Sequence, residues 1–532
     1  MSRNLKLFVG GGTHWSPGAL LLAAILCSPI QAQNSSDSVA SSDDSVDVER
    51  EDSWVSRKGD MGTARTRRLT LHPMLEPVPA LQYRLIPDDY ERIDGNAAVF
   101  YLKAMGFLEE MHAREMVTKF HRESEKQAEA QGKDDYPPYE WMKMNPKDLP
   151  VEEVKKFLRL VRFQEPMLRD ASLRSKFSLD RNIRGVDNPI MYLLPEINQI
   201  RQVARYQSLR FRLALAEDRI DDAIKYLGQN YALASHLGQD DFFVSSLVGI
   251  AIGSIAWNDT LYLLERPDAP NMYWAFATLP KPLVSIERAF AYERHLLFEQ
   301  VKLLREINAT PRTPGYWQDF VDRLIAQSDS FEVVFDASWN LKDMDKTSAR
   351  ALVASAIAAA YPGAKQYLVN EVVMDTEMVN DYPKAQTVFL ALKIYSERAR
   401  DEQLKWQYLP YPLIDASPLY AKSMEQLNVD ERQFGLITKP AQTLFPAVQA
   451  IGSAVQRLQQ YIAMAQTVEA IRYHAAKHDG KLPTSLATLE LPAISDPITG
   501  RPFEYRLNGN RAVLRAAQTS GIQNRFVLQI AK

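Results

Sequence analysis

Chemistry in this chain has to come from histidines and carboxylates, because Cys27 is the only cysteine among 532 residues. Eight histidines are available. His474 and His478 stand four apart on a predicted helix, a spacing at which two imidazoles can share one metal ion. The intervening Ala475-Ala476-Lys477 lacks the glutamate of the His-Glu-x-x-His metallohydrolase pattern, and the sequence offers no third ligand. The expectation is two surface histidines, no metal and no cofactor. His112 and His121, nine apart, fit the solvated face of a charged helix. No Gly-x-Ser-x-Gly elbow, phosphate-cradling glycine loop or dinucleotide fingerprint occurs, so acyl transfer and nucleotide chemistry have no support. A hydrolase using two carboxylates leaves no spacing signature, and 66 Asp and Glu keep that option open without assigning catalytic residues. The densest mix of charge and ring runs from Tyr395 to Trp406, with Glu397, Arg398, Arg400, Asp401, Glu402 and Lys405. It reads as i to i+4 ion pairing on a solvated helix face, a binding groove being the alternative.

The element that carries the histidine pair is a long helix whose apolar residues Val448, Ile451, Val455, Leu458, Ile462 and Ala465 alternate spacings of three and four. That narrow seam suits a helix lying along a partner helix. It continues through Val468 and Ile471 to Tyr473, and Gly480 stops it. Asp496-Pro497 and Thr499-Gly500 then make turns, Phe503 and Tyr505 alternate as in a strand, and Asn508-Gly509 is a hairpin turn. Ala512 to Leu514 and Phe526 to Ile530 supply further strands.

Upstream, the pattern is helical from Asp94 onward, with little strand-like alternation before residue 490. Pro150 opens a helix with Glu152 and Glu153 in its positive first turn. The clearest hairpin lies between Leu194 and Gly238, with Glu217-Asp218-Arg219 as the connection. It resembles a tetratricopeptide unit at Ala223-Ile224, departs from it at Phe211, and has no second copy at a fixed spacing. Phe242 to Trp257 is sixteen residues without a charge, with Gly249 and Gly253 on one face. At 1.5 Å per residue it spans about 24 Å, short of a ~30 Å hydrocarbon core, so a buried central helix is expected ahead of a membrane span.

Residues 1–32 read as a secretory signal, with Arg3 and Lys6, an apolar run from Ala19 to Cys27, and Ile30-Gln31-Ala32 as cleavage site. Cleavage leaves no cysteine, hence no disulfide or thiolate, and 61 basic against 66 acidic residues, a charge of −5. Such balance argues against nucleic acid or an anionic membrane as partner. Residues 33–70, acidic and Ser-rich and then basic, read as a disordered linker, with a docking patch at Arg65-Thr66-Arg67-Arg68 as the alternative. Leu71 to Pro87 is expected to be extended, with Leu75, Val78, Leu81, Tyr83 and Leu85 buried against the body.

The domain plan is a signal (1–32), a linker (33–70), an all-helical body (71–440), and a long helix with a small β module (441–532). The fold class is mainly α: an irregular, weakly tetratricopeptide-like helical-hairpin stack ending in a long helix and a small antiparallel sheet. The ending, Gly480-x-Leu-Pro-x-Ser-Leu486 followed by Asp496-Pro-x-x-Gly-x-Pro-Phe-x-Tyr505, resembles the globular part of type II secretion pseudopilins. The whole mature chain resembles a family of exported, uncharacterised planctomycete helical proteins through Pro77 to Leu85, Leu247 to Ile252, Asn271 to Ala275 with Leu279-Pro280, and Gly480 to Tyr505. That resemblance implies export and architecture and no activity. The functional expectation is a non-enzymatic scaffold, periplasmic or extracellular, that binds another envelope or secreted protein through a groove of its hairpin body. It carries no transmembrane segment after signal cleavage, and its oligomeric state is unassigned. The alternatives are an envelope hydrolase and a secretion-apparatus accessory whose seam from Val448 to Ala465 stays exposed for a partner helix.

Overall fold

A computed structural model describes residues 54–59, 62–106, 111–133, 135–181, 195–328, 341 and 344–531. The signal-like segment and the acidic part of the linker lie outside the described residues, as do the side chains of His112 and Val448. In chain order the elements are β1 (Val55–Gly59), β2 (Gly62–Leu71), β3 (Ile93–Asn96), α1 (Ala98–Ala104), α2 (Met111–Ala130), α3 (Val151–Leu160), α4 (Gln164–Ser172), β4 (Arg174–Lys176), α5 (Pro195–Ala216), α6 (Ile220–Leu237) and α7 (Phe243–Leu264). Then come α8 (Tyr273–Ala277), α9 (Glu287–Gln300), α10 (Pro314–Ala326), α11 (Lys346–Asn370), α12 (Thr376–Asp381), α13 (Lys384–Leu404), α14 (Tyr411–Asp415), α15 (Pro418–Phe434), α16 (Lys439–Lys477), β5 (Glu504–Asn508), β6 (Arg511–Arg515) and β7 (Ile522–Ile530). The protein is mainly helical with a small mixed sheet.

The expected hairpin is α5 and α6. Its turn closes with Asp218 at φ 57° and the Arg219 N–H donating to the Ala214 carbonyl at 2.8 Å. Phe211 and Ala223 are fully buried. Helix α7 passes behind this hairpin and is long and apolar enough to cross a membrane, yet 72% of its apolar window is buried inside the protein. Its glycines explain the fit. A Cβ at Gly249 would lie 2.9 Å from the Ala234 carbonyl oxygen of α6, and one at Gly253 would lie 2.6 Å from Leu458 of α16. At Gly249 the α6 backbone therefore approaches where only glycine fits, and at Gly253 the Leu458 side chain of α16 packs directly onto the helix.

Leu458 belongs to the seam. Ile451, Val455, Leu458, Ile462 and Ala465 are all buried in the main core, and Trp257 of α7 stacks on Tyr461 with ring centroids 5.0 Å apart. The partner of the seam is thus this chain's own central helix, and those residues are not presented to another helix. A second core forms around Trp317, Phe320, Tyr367, Phe389, Tyr395 and Phe434 from α10, α11, α13 and α15.

The sheet differs from expectation. Its order is β1-β2-β7-β6-β5, and β2 runs parallel to β7 from Thr63↔Ile522 to Leu71↔Ile530. The small sheet is therefore mixed and not purely antiparallel, and residues 54–70, expected in the linker, with Leu71 of the expected helical body, supply two of its five strands. The physical reason is period-two burial: Arg67, Leu69 and Leu71 all face the core. Arg67 tolerates this because its guanidinium donates to Glu265 at 2.9 Å and lies over the Tyr262 ring. It is consumed by the fold and is not part of a docking patch. After β2 the chain is irregular and not extended throughout, turning where the Gln82 N–H donates to the Pro79 carbonyl at 3.0 Å; Leu75, Val78 and Leu81 point to solvent, while Leu85 is buried and Tyr83 half-buried. Backbone ties fix this strap, with Met74 N–H to the Arg472 carbonyl at 3.2 Å and the Asn271 amide to the Met74 carbonyl at 3.1 Å.

Candidate functional site

The last turn of α16 carries His474, His478 caps its end, and that ending is set by backbone chemistry. Asp479 and Gly480 take φ of 53° and 74°, and the Gly480 N–H donates back to the Ala475 carbonyl at 2.9 Å. The chain then doubles back along the helix. Leu489 and Leu491 pack against Ala470, Tyr473, Tyr273 and Trp274, and the Tyr273 hydroxyl donates to the Pro492 carbonyl at 2.8 Å. With half-buried Leu489 on one side and buried Leu491 on the other, Glu490 is turned toward the histidines.

Its carboxylate meets both. Oε2 lies 3.1 Å from His474 Nδ1 and Oε1 lies 2.8 Å from His478 Nε2, and the two imidazole rings stack with centroids 4.0 Å apart. One donor atom from each of the three residues falls within 4.8 Å of the other two. His474 is buried, whereas His478 and Glu490 are exposed. The His478 imidazole, seconded by His474, holds the Glu490 carboxyl down at about 2. The third donor that the sequence did not offer is thus Glu490, twelve residues beyond His478.

Two of the other described histidines, His236 and His121, are structural. His236 is buried between α6 and the β4 segment: its Nε2 donates to the Arg174 carbonyl at 2.9 Å, so its Nδ1 accepts from the Tyr101 hydroxyl at 2.9 Å. Burial pushes its pKa down to about 4. His121 departs from the solvated face expected of it. It is packed among the rings of Phe120, Tyr136, Tyr139, Phe157 and Tyr206, bonds the Tyr206 hydroxyl at 2.8 Å, and is likewise lowered by burial to about 4.

Among the described acids, burial raises Glu293 to about 7, Asp259 to about 6 against its Arg212 partner at 3.1 Å, and also Glu469, paired with Arg472 at 2.9 Å, and Asp430, bonded by Gln426 at 2.8 Å. These four sit on different helices with different partners. A second group lines an open hollow of about 610 Å³ between the strap and the α5–α6 turn: Asp218, Asp221, Asp222 and Asp268, with Met74, Tyr83, Arg219, Ile220 and Pro270. Arg266 bonds Asp218 at 2.6 Å and Asp268 at 2.8 Å, Arg219 pairs with Asp222, and the Tyr83 hydroxyl bonds Asp221 at 3.3 Å. Arg266 holds Asp268 below the usual carboxylate range; at Asp222 burial opposes, and Arg219 prevails.

No family model, curated protein or solved structure matches the chain.

The charged cluster from Tyr395 to Trp406 also differs from its reading as i to i+4 pairs. Asp401 is met by Arg294 of α9 at 3.4 Å, Arg398 reaches Glu371 of α11 at 3.7 Å, and Trp406 is buried against Tyr420. Within the segment, Arg400 pairs with Asp401 at 2.9 Å and Glu402 with Lys405, three apart, at 2.7 Å. These groups tie helices together and do not form a groove.

Proposed function

We propose that this chain is an exported, non-enzymatic helical scaffold that binds another envelope or secreted protein through the hollow at the turn of its helical hairpin. The observation that carries the reading is the composition of that hollow. Four aspartates share it with Met74, Tyr83, Ile220 and Pro270, and the strap that forms one wall holds Leu75, Val78 and Leu81 out to solvent. Acid beside exposed apolar surface suits a basic, partly apolar segment of a protein partner. The arginines that keep Asp222 and Asp268 ionised favour docking over proton transfer, since a general acid needs a raised pKa. Export rests on the signal-like residues 1–32.

The test is site-specific photo-crosslinking in living cells from Val78, which is 92% exposed, with Lys119 on the far charged helix as control. The expected result is one discrete adduct from Val78, absent from Lys119 and weakened by Asp221→Lys. Identical adducts from both positions, or none from Val78, would overturn the proposal.

A further inference from the structure

We propose that His474, His478 and Glu490 bind one divalent first-row transition-metal ion of the zinc class, with at least one coordination position left open. Two imidazole nitrogens and a carboxylate oxygen make the donor set, which suits zinc, cobalt, nickel, copper or ferrous iron and not calcium or magnesium, whose sites are built from oxygen. The three donor atoms already lie within 4.8 Å of one another, so they close on an ion by small side-chain rotations. Their supports are rigid. The histidines sit on the last turn and the cap of a 39-residue helix, and Glu490 is fixed by Leu489 and Leu491 in the cluster with Tyr273 and Tyr473. A cation at this place also faces the negative end of the helix dipole.

Donor chemistry supports the same occupant. With no ion, each imidazole offers an N–H to the carboxylate; with an ion, each offers a lone pair to the metal. Exposed His478 and Glu490 leave the outer side of the site open, as in zinc centres that keep a water or accept a further ligand. The bound ion would clip the end of α16 to the strand-bearing module across residues 479–489.

The experiment uses the untagged mature chain, stripped with a chelator and titrated with Zn²⁺ by calorimetry and with Co²⁺ by visible absorption. One ion per chain is expected, with Co²⁺ d–d bands that Zn²⁺ abolishes and that millimolar Ca²⁺ or Mg²⁺ does not. His478→Gln and Glu490→Gln, both on exposed side chains, should keep the far-UV circular dichroism of the parent and weaken binding roughly tenfold or more. Absence of saturable binding, unchanged affinity in both variants, or displacement by Ca²⁺ would each overturn the proposal.

Discussion

Two polar clusters lie one helical turn apart on α16 and have opposite fates. Glu469 and Arg472 are both 0% exposed, and every direction around them is taken: Arg472 donates to Glu469, to the His72 carbonyl at 2.9 Å and to the Ala269 carbonyl at 3.0 Å. His474, His478 and Glu490 meet one another with their outer side open to water. The first cluster binds three segments of this chain, the strap, the α7–α8 connection and the helix itself. The second has donor capacity left for something else. The contrast teaches that burial and saturation, not residue type, separate a structural polar group from one able to take a ligand.

The sharpest way to break the contrast is Arg472→Met. It strands the Glu469 carboxylate in the core and removes the donors of two carbonyls, so a loss of about 3–5 kcal/mol is expected in urea unfolding. Glu469→Leu in the same chain should restore part of that loss, because the stranded charge goes. A single-variant loss below about 1 kcal/mol would mean that water reaches the pair and that the two clusters are alike.

A second sealed group gives a pH signature. His236 titrates at about 4 in the folded chain against an ordinary 6.5, so the unfolded chain takes up the proton first as pH falls. Its contribution is intact above pH 6.5 and lost progressively toward pH 4, reaching about 3 kcal/mol for a shift of that size. Asp259 works in the opposite sense: its folded pKa of about 6 exceeds the ordinary 3.8, so its contribution is present at low pH and lost as pH rises through about 6. The measurement is therefore the difference between the parent and His236→Gln across pH 4 to 7. Parallel stability curves would show that His236 is wet.

What was legible in the sequence follows the same division. Apolar periodicity marked the α5–α6 hairpin, the buried α7 and the α16 seam, because a helix records its buried face locally. The β2–β7 pairing was not legible, since Thr63 meets Ile522 and the three arginines within β2 disguise its inward alternation. His121 looked solvated because its aromatic surround comes from several segments. Glu490 was one acid among 66, and only the packing of Leu489 and Leu491 against Tyr273 and Tyr473 aims it.

The smallest expected effect sharpens the contrast most. In the metal-free chain, His478→Ala removes a solvent-exposed partner of Glu490, and exposed ion pairs contribute little because water and salt screen them. A change of no more than about 0.5 kcal/mol in urea unfolding is expected. Set beside the loss from Arg472→Met, this states the argument as a ratio: two substitutions six residues apart on one helix, with effects differing several-fold, because only one of them leaves a charge without water. A large loss from His478→Ala in the absence of metal would make the histidine cluster a structural clamp like its neighbour, and the open side of the site would lose its meaning.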